Sequence, residues 1–405
     1  MIASFTSICD AKRWIIQRKI INLSKQFFRP AGRPRVFTQP RLFPSETSSP
    51  NGSLCSMDQK PGFDIIGDVH GHAALLEKLL RKLGYVKYGK TWGHPDGRIA
   101  VFTGDLINRG PEQVETVKLV RRMVRHETAY CVAGNHEYAA LCRFCGIGHV
   151  HGTDSRITFF DSAVKDPKTL QKLMKWIRTL PLWLNLGEIR VVHACWDPDA
   201  IQSILDACVR EGALPTLGLY EDVLRSSGEE SDAGQSLIAA LDQTLKGPEV
   251  WLPKTLSYKN AEGKAVTRVR VKWWDRGITT YEAAVISDPS RSFPLEDLRE
   301  NPFVFKPTVP TFIGHYSLSD TGNFAPLDTA VACVDYGAGK GGPLTACRWI
   351  KNGSRWSIRR LRPSFSHLSD ICHAALSQHL SLRDRRADPD GESAFGLHFL
   401  SLAHF

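Results

Sequence analysis

The chain reads as an α/β protein built on buried strands. Two observations predict this. From residue 62 onward, short apolar runs alternate with amphipathic helical stretches, and several runs end in a glycine followed by polar residues. The stretch IAVFTGDLINRGP, residues 99–111, shows the second feature: an apolar run reaches Gly104, and Asp105, Asn108 and Arg109 follow at once.

Taken in order, FDIIGD is the first strand candidate. AALLEKLLRKLGY places Leu75, Leu76, Leu79, Leu80 and Leu83 on one side, an amphipathic helix ended by Gly84. IAVFTGD is the second strand. PEQVETVKLVRRMV is the second helix, with Pro111 expected at its first turn and basic residues near its end. AYCVAGN is a third strand that runs into a helix through HEYAALCRF, and IRVVHA and TFIGHY are the fourth and fifth strands. AVACVDYGAGKGGPLTACRWI predicts a hairpin around a glycine-rich turn. Its GAGKGG lacks the GxxxxGK(S/T) spacing, because Gly342 is followed by Pro343, so it is not a nucleotide loop.

Residues 197–310 interrupt this rhythm. They hold a polar loop, GEESDAGQ, a helix at SLIAALDQTL and a hairpin through KNAEGK into AVTRVRVKWWD, and read as an insert or cap on a main domain spanning 62–350. On the last of these strands Arg268, Arg270, Lys272 and Trp274 share a face, which suits either a solvated strand or a grip on a polyphosphate with a stacked base. The tail, 352–405, has no clear pattern.

Residues 1–56 differ from the rest. They are rich in arginine, poor in acids, and carry Ile16, Ile20, Leu23 and Phe27 on one helical face. A transit-like segment is one reading. The favoured one is a leader that is disordered or not part of the functional protein, because Met57 opens MDQKPGFDIIGDVHGH, which reads as a start. A cytoplasmic protein is therefore expected, or an organellar one if residues 1–56 are a transit segment.

The totals exclude several classes. The chain has 405 residues, 42% apolar and 23% charged, ordinary for a globular protein. No apolar run approaches the length of a bilayer span, so a membrane partner is not expected. The net charge of +10 lies at the ends. Residues 1–57 hold nine Lys/Arg against two Asp/Glu, and residues 351–405 eight against five, which leaves the central segment near neutral. The overall basicity is thus poor evidence for a nucleic-acid partner. The ten cysteines are irregularly spaced. Cys142 and Cys145 form a lone CxxC with no second pair at zinc-finger spacing, and read as reduced thiols on a helix.

The chemistry lies at the strand ends. GDVHGH offers Asp68 and His70, GDLINRGP Asp105, GNHE Asn135 and His136, VVHA His193, and GHYS His315. In an open α/β sheet the strand ends converge on one crevice. This mixed nitrogen and oxygen set suits two divalent first-row metals, Mn first, with Fe, Zn, Co or Ni also compatible. Asp68 and His70 are two apart, so on an extended strand end they would point the same way, and Gly67 and Gly71 would keep side chains clear of an ion.

These five blocks, in this order, resemble the signature of the calcineurin-like metallophosphoesterase superfamily over residues 62–350. Within it they are most similar to bacterial phosphoprotein-phosphatase-like enzymes, including symmetrical diadenosine tetraphosphatases. The resemblance implies a four-layer αββα metallophosphoesterase sandwich with a cap-like insertion. It implies that Asp68, His70 and Asp105 hold one metal ion, and that Asp105, Asn135, His193 and His315 hold a second, with Asp105 bridging. It further implies a hydrolase in which a metal-bridging hydroxide attacks phosphorus directly, the two ions lying about 4 Å apart. Arg109 would bind phosphate oxygens and His136 would protonate the leaving oxygen, with Asp105, Arg109 and His136 as the catalytic set.

Two departures narrow the substrate. Protein phosphatases of this superfamily usually carry an Asp where Asn108 stands, and a pair of glycines after the histidine where this chain reads HACWDP. The expected substrate is a phosphomonoester or a dinucleoside polyphosphate, with a phosphorylated protein as the alternative. A non-catalytic binding protein of the same fold is disfavoured because every ligand position and Arg109 are filled.

Overall fold

The computed structural model of the chain describes residues 62–147, 159–160, 166–208, 215–228, 230–253, 258–259, 265–275, 279–286, 307–320, 325–350 and 353–361. The expectations for the leader, for Met57 and for the end of the tail lie outside these residues.

The first half runs through β1 (Phe63–Ile66), α1 (Ala73–Leu83), the hairpin β2 (Val86–Tyr88) and β3 (Thr91–Gly93), β4 (Ile99–Phe102), α2 (Gln113–Arg125), β5 (Ala129–Cys131) and α3 (Asn135–Cys145). Then come α4 (Pro167–Ile177), β6 (Trp183–Asn185) and β7 (Arg190–Val192). The interrupted region carries α5 (Pro198–Cys208), α6 (Leu217–Ser227), α7 (Asp232–Lys246), β8 (Glu249–Trp251), β9 (Tyr258–Lys259), β10 (Ala265–Val266), β11 (Arg268–Arg270) and α8 (Tyr281–Ala284). The remaining strands are β12 (Thr311–Ile313), β13 (Val331–Cys333), β14 (Leu344–Ile350) and β15 (Gly353–Leu361).

The strands fall into two main sheets. One has the order β15-β14-β1-β4-β5, with β1, β4 and β5 parallel, β14 antiparallel to β1, and β15 antiparallel to β14. The other has the order β13-β12-β7-β6, with β13, β12 and β7 parallel and β6 antiparallel. Successive strand side chains point to opposite faces, and the core divides accordingly. Ile65, Val101, Phe312, Val191, Ala332 and Cys347 form one buried cluster between the sheets. Their sequence neighbours Ile66, Phe102, Ile313, Val192, Val331 and Ala346 belong to another, shared with the leucines of α1, with Val117, Val120 and Met123 of α2, and with Ile201, Ile204, Leu241 and Leu245 of α5 and α7. Both faces of each sheet are thus covered, as in an αββα sandwich. Each fully buried Ile or Phe here contributes about 1.5–3 kcal/mol.

The helices form where expected. The leucine stripe of α1 is buried, and Gly84 closes the helix at φ 94, in the left-handed region. Asp166 caps α4 by accepting from the N–H groups of Lys168 and Thr169, with Pro167 following it. Pro111, however, is not in the first turn of α2, because Glu112 is the cap and the helix starts at Gln113. The Glu112 carboxylate instead accepts from the N–H of Ala74, at the start of α1.

Two further expectations change. The glycine-rich segment after β13 does not turn a hairpin. It carries the chain from one sheet to the other, since β13 pairs with β12 while β14 pairs with β1 and β15. The hairpin partner of β14 is β15, so the sheet extends past the boundary expected near 350. Gly67 is needed for this crossing and not for clearance of an ion: a Cβ there would lie 1.9 Å from the Val334 carbonyl oxygen. Gly71 would likewise meet the Gln113 side chain at 2.7 Å. Gly67→Ala must push two sheets apart at a backbone contact. It is expected to lower unfolding free energy by about 3 kcal/mol, read from a denaturant midpoint, and a neutral substitution would show the contact to be soft.

Candidate active site

The five expected strand ends do meet, but they come from two sheets rather than from one. β1, β4 and β5 deliver Asp68, His70, Asp105, Asn135 and His136, while β7 and β12 deliver His193 and His315. The backbone is bent hard at this junction. His70, Asp105, Asn108, Arg109 and His315 all have positive φ, between 45° and 75°. Non-glycine residues reach this region only when the surroundings hold them there. His70 is therefore not on an extended strand end, and the expected same-side pairing with Asp68 does not apply.

Asp105 is the centre. It is 2% exposed. Its Oδ1 accepts from the His136 N–H at 2.9 Å. Its Oδ2 lies 3.4 Å from His193 Nε2, 3.7 Å from His70 Nε2 and 3.8 Å from His136 Nε2. Two groups of potential metal donors share it: His70, Asp105 and His136, and Asp105, His193 and His315. Burial works to raise its pKa, but the histidines around it, His193 first, outweigh that and hold the carboxyl well below the usual range.

The histidine nitrogens are aimed by second partners. His193 Nδ1 donates to the Thr103 carbonyl at 2.7 Å, which turns Nε2 into the site. There Nε2 meets Asn135 Oδ1 at 3.0 Å and His315 Nδ1 at 3.3 Å. His315 Nδ1 is itself 2.9 Å from Asn135 Oδ1, and its Nε2 is buried without a hydrogen-bond partner. Acceptor atoms that converge this closely require a positive charge among them. Burial lowers the His193 pKa, but the Asp105 and Asp68 charges raise it by more, so the site favours a cation here. A divalent ion fits the same converging donors. His70 Nδ1 donates to Ile107 O at 3.0 Å, and its Nε2 faces Arg109 Nη1 at 2.9 Å. An ion on His70 would therefore compete with Arg109 for that lone pair.

Asp68 sits at the same junction, but its carboxylate is engaged by the backbone N–H of His315, 247 positions away, and by the Thr103 hydroxyl. Burial and the Asp335 charge push its pKa well above the usual range. Asn108 lies against His136, with Nδ2 at 2.7 Å from Nδ1. The Asn108 Oδ1 accepts from Phe159 N–H, so the amide nitrogen faces the ring and donates to Nδ1. Neutral His136 then carries its proton on Nε2, toward Asp105 and the site.

Two carboxylates were missed. Glu137 is completely buried, and its oxygens accept from the N–H groups of Gly134, Asp105 and Leu106 at 2.8–2.9 Å. It holds the Asp105 loop against the start of α3. Its place as the third residue of a helix, a capping position, was a legible signal. Asp335 accepts from the N–H groups of Ser317 and Gly337 and fixes the loop after His315. Its signal, a further strand ending in Asp and Gly, was hidden by the hairpin reading. Glu137→Gln places an NH2 against a backbone donor. Metal affinity is expected to fall by roughly 10–100-fold, as for other residues that hold a ligand in place. Unchanged affinity in a titration would remove this positioning role.

A buried two-sheet junction lined by histidines and a shared aspartate defines a divalent-metal type of site. The family model of calcineurin-like phosphoesterase matches residues 62–205. An asymmetrical bis(5'-nucleosyl)-tetraphosphatase PrpE of Geobacillus sp. is 35% identical over 195 residues, 47% of this chain and 76% of that protein. The symmetrical bis(5'-nucleosyl)-tetraphosphatase of Methylococcus capsulatus is 28% identical over 305 residues, 74% of this chain and 96% of that protein. The PrpE of Oceanobacillus iheyensis is 36% identical over 135 residues, 32% of this chain, and the chain spans only about half, 54%, of that relative. The chain belongs to the calcineurin-like phosphoesterase family.

Proposed function

We propose that the protein is a two-metal hydrolase of phosphoric anhydride bonds in nucleoside polyphosphates, acting on substrates of the diadenosine tetraphosphate kind. The observation that carries this reading is the single buried carboxylate of Asp105, with His70 on one side, His193 and His315 on the other, and Arg109 against His70. Asp68, His70 and Asp105 would hold one ion, and Asp105, Asn135, His193 and His315 the other, Mn being the best match among Mn, Fe, Zn, Co and Ni. When bound, such ions supply Lewis acidity and a nucleophile at neutral pH. Arg109, displaced from His70, binds the phosphate oxygens with its fork. His136 donates the Nε2 proton to the leaving oxygen, with Asn108 holding the ring from behind. The segment 197–310 would serve as an insert; of its described residues, Trp273 and Trp274 pack on Tyr316, beside His315. No disulfide joins the cysteines among the described residues, in keeping with a reducing cytoplasm. Among the same residues no helix is long and apolar enough to cross a membrane.

The test is the metal-reconstituted full chain assayed with diadenosine tetraphosphate, p-nitrophenyl phosphate and a phosphoserine peptide, with products identified. Diadenosine tetraphosphate is expected to be turned over at least tenfold more efficiently, by kcat/KM, than the peptide. The reverse order would favour the phosphoprotein phosphatase alternative, and no hydrolysis of any of the three would overturn the reading.

A further inference from the structure

The β8/β11 hairpin is tied to the site through Tyr316, and its outer face carries an exposed tryptophan between arginines. Its register is fixed: Arg270 pairs with Glu249 and Arg268 with Trp251, while Val269 and Val250 turn the other way into a small core of their own. Arg268, Arg270 and Trp251 therefore share one face. Trp251 is 58% exposed, the largest side chain left so open among the described residues. Its backbone is held, since its carbonyl accepts from the Tyr281 hydroxyl at 3.1 Å. One face of its ring is covered by the Arg268 guanidinium, 4.9 Å from the centroid.

The hairpin is anchored beside His315 at the end where β8 begins and β11 stops. Gly247, two residues before β8, is so close to Tyr316 that a Cβ would lie 2.2 Å from the hydroxyl oxygen. Beyond β11, Trp273 Nε1 donates to that hydroxyl at 3.0 Å, and the Trp274 ring meets the Tyr316 ring edge to face at 5.3 Å. Tyr316 in turn packs on His315 at 5.2 Å. The Glu249–Arg270 pair is at this anchored end, and the Trp251–Arg268 pair is two residues further out, about 7 Å along the strand. Arg270 ends β11 three residues before Trp273, whose indole N–H holds Tyr316 beside His315.

We propose that this face is a nucleotide subsite, in which Arg270 takes a phosphate adjoining the metal centre and Trp251, backed by Arg268, stacks the base of the same nucleotide. The spacing is right for one nucleoside: cation first, aromatic platform a strand step outward. The proposal rests on the nucleoside polyphosphate reading and extends it from the reacting phosphate to the base. A ring held on one side by a guanidinium leaves its other face open as a flat platform. A base stacks on such a platform whatever its identity.

The test reads binding and not turnover. The full chain, loaded with Mn, is titrated with α,β-methylene-ADP and with methylenediphosphonate, which share the bridged diphosphate and differ by the nucleoside. Wild type is expected to bind the nucleotide about tenfold more tightly. Trp251→Ala is expected to erase that advantage, and Trp251→Phe to keep most of it. Arg270→Gln should weaken both probes by a similar factor, about tenfold. Thermal unfolding midpoints of the three variants check that the exposed hairpin still folds. Equal affinity of wild type for the two probes, or an advantage that survives Trp251→Ala, overturns the subsite. If the advantage is present but no phosphoanhydride is hydrolysed, the subsite stands and the hydrolase reading falls. Hydrolysis without the advantage overturns the subsite and leaves the hydrolase reading in place.

Discussion

Asp105→Asn is expected to lower kcat/KM by on the order of 1,000-fold or more and to reduce the metal bound per chain. The substitution keeps the shape and removes one negative charge that faces His193, His70 and His136 at 3.4–3.8 Å. A shared metal carboxylate supplies several kcal/mol to both ions, and each 1.36 kcal/mol of lost transition-state stabilisation is a factor of ten. The fold should survive, because the Asn side-chain oxygen can still accept from the His136 N–H. Metal analysis and kinetics on the same preparation decide it: near-normal turnover with a full metal complement would refute the bridging role.

The largest stability effect is expected at the other end of β1. Asp64 is fully buried and receives two guanidinium forks. Arg98 donates Nε to Oδ2 at 2.9 Å and Nη2 to Oδ1 at 3.0 Å, and Arg348 donates Nε to Oδ1 at 2.8 Å and Nη2 to Oδ2 at 3.2 Å. The same guanidiniums tie down the carbonyls of Phe63, Trp349 and Leu83. Asp64→Ala leaves two cations against a buried sheet with no counter-charge, so a loss of about 3–5 kcal/mol is expected, measured by denaturant unfolding. Activity of the folded fraction in the cold should persist, because Asp64 precedes the ligand loop by the length of the strand. A loss below about 1 kcal/mol would mean that water or rearranged partners replace the carboxylate.

The element types were largely legible and their assembly was not. The leucine spacing of α1, its closing Gly84 and the apolar runs of β1, β4, β5, β7 and β12 are local properties, and local physics reads them. Partition into two sheets is not local. FDII and TFI are buried on both faces, so their pattern cannot say which sheet or which face meets the partner. The segment GAGKGG looks the same whether it reverses the chain within a sheet or carries it between sheets, and only the Gly67–Val334 contact distinguishes the two. At the site, the residue types at the strand ends pointed to Asp105, His70, His193, His315, Asn135 and His136 because ligand chemistry restricts which side chains can serve. Glu137 showed only its local capping place, not its hold on the Asp105 and Leu106 N–H groups, and the hairpin reading hid Asp335. Trp251 escaped for another reason: Arg268 and Arg270 stood out on their strand with Trp274 as the aromatic partner, but Trp274 is buried, and it is the β8–β11 pairing, a tertiary event, that sets Trp251 beside Arg268.

The junction draws Asp68 and His315 together across 247 positions of chain, from strands of two different sheets. Closing so long a loop is entropically unfavourable until most other contacts exist. No early, half-assembled species can therefore present the full donor set. The ion would be captured last, after the sheets have docked, and its uptake would serve as a clock hand that marks the completion of folding.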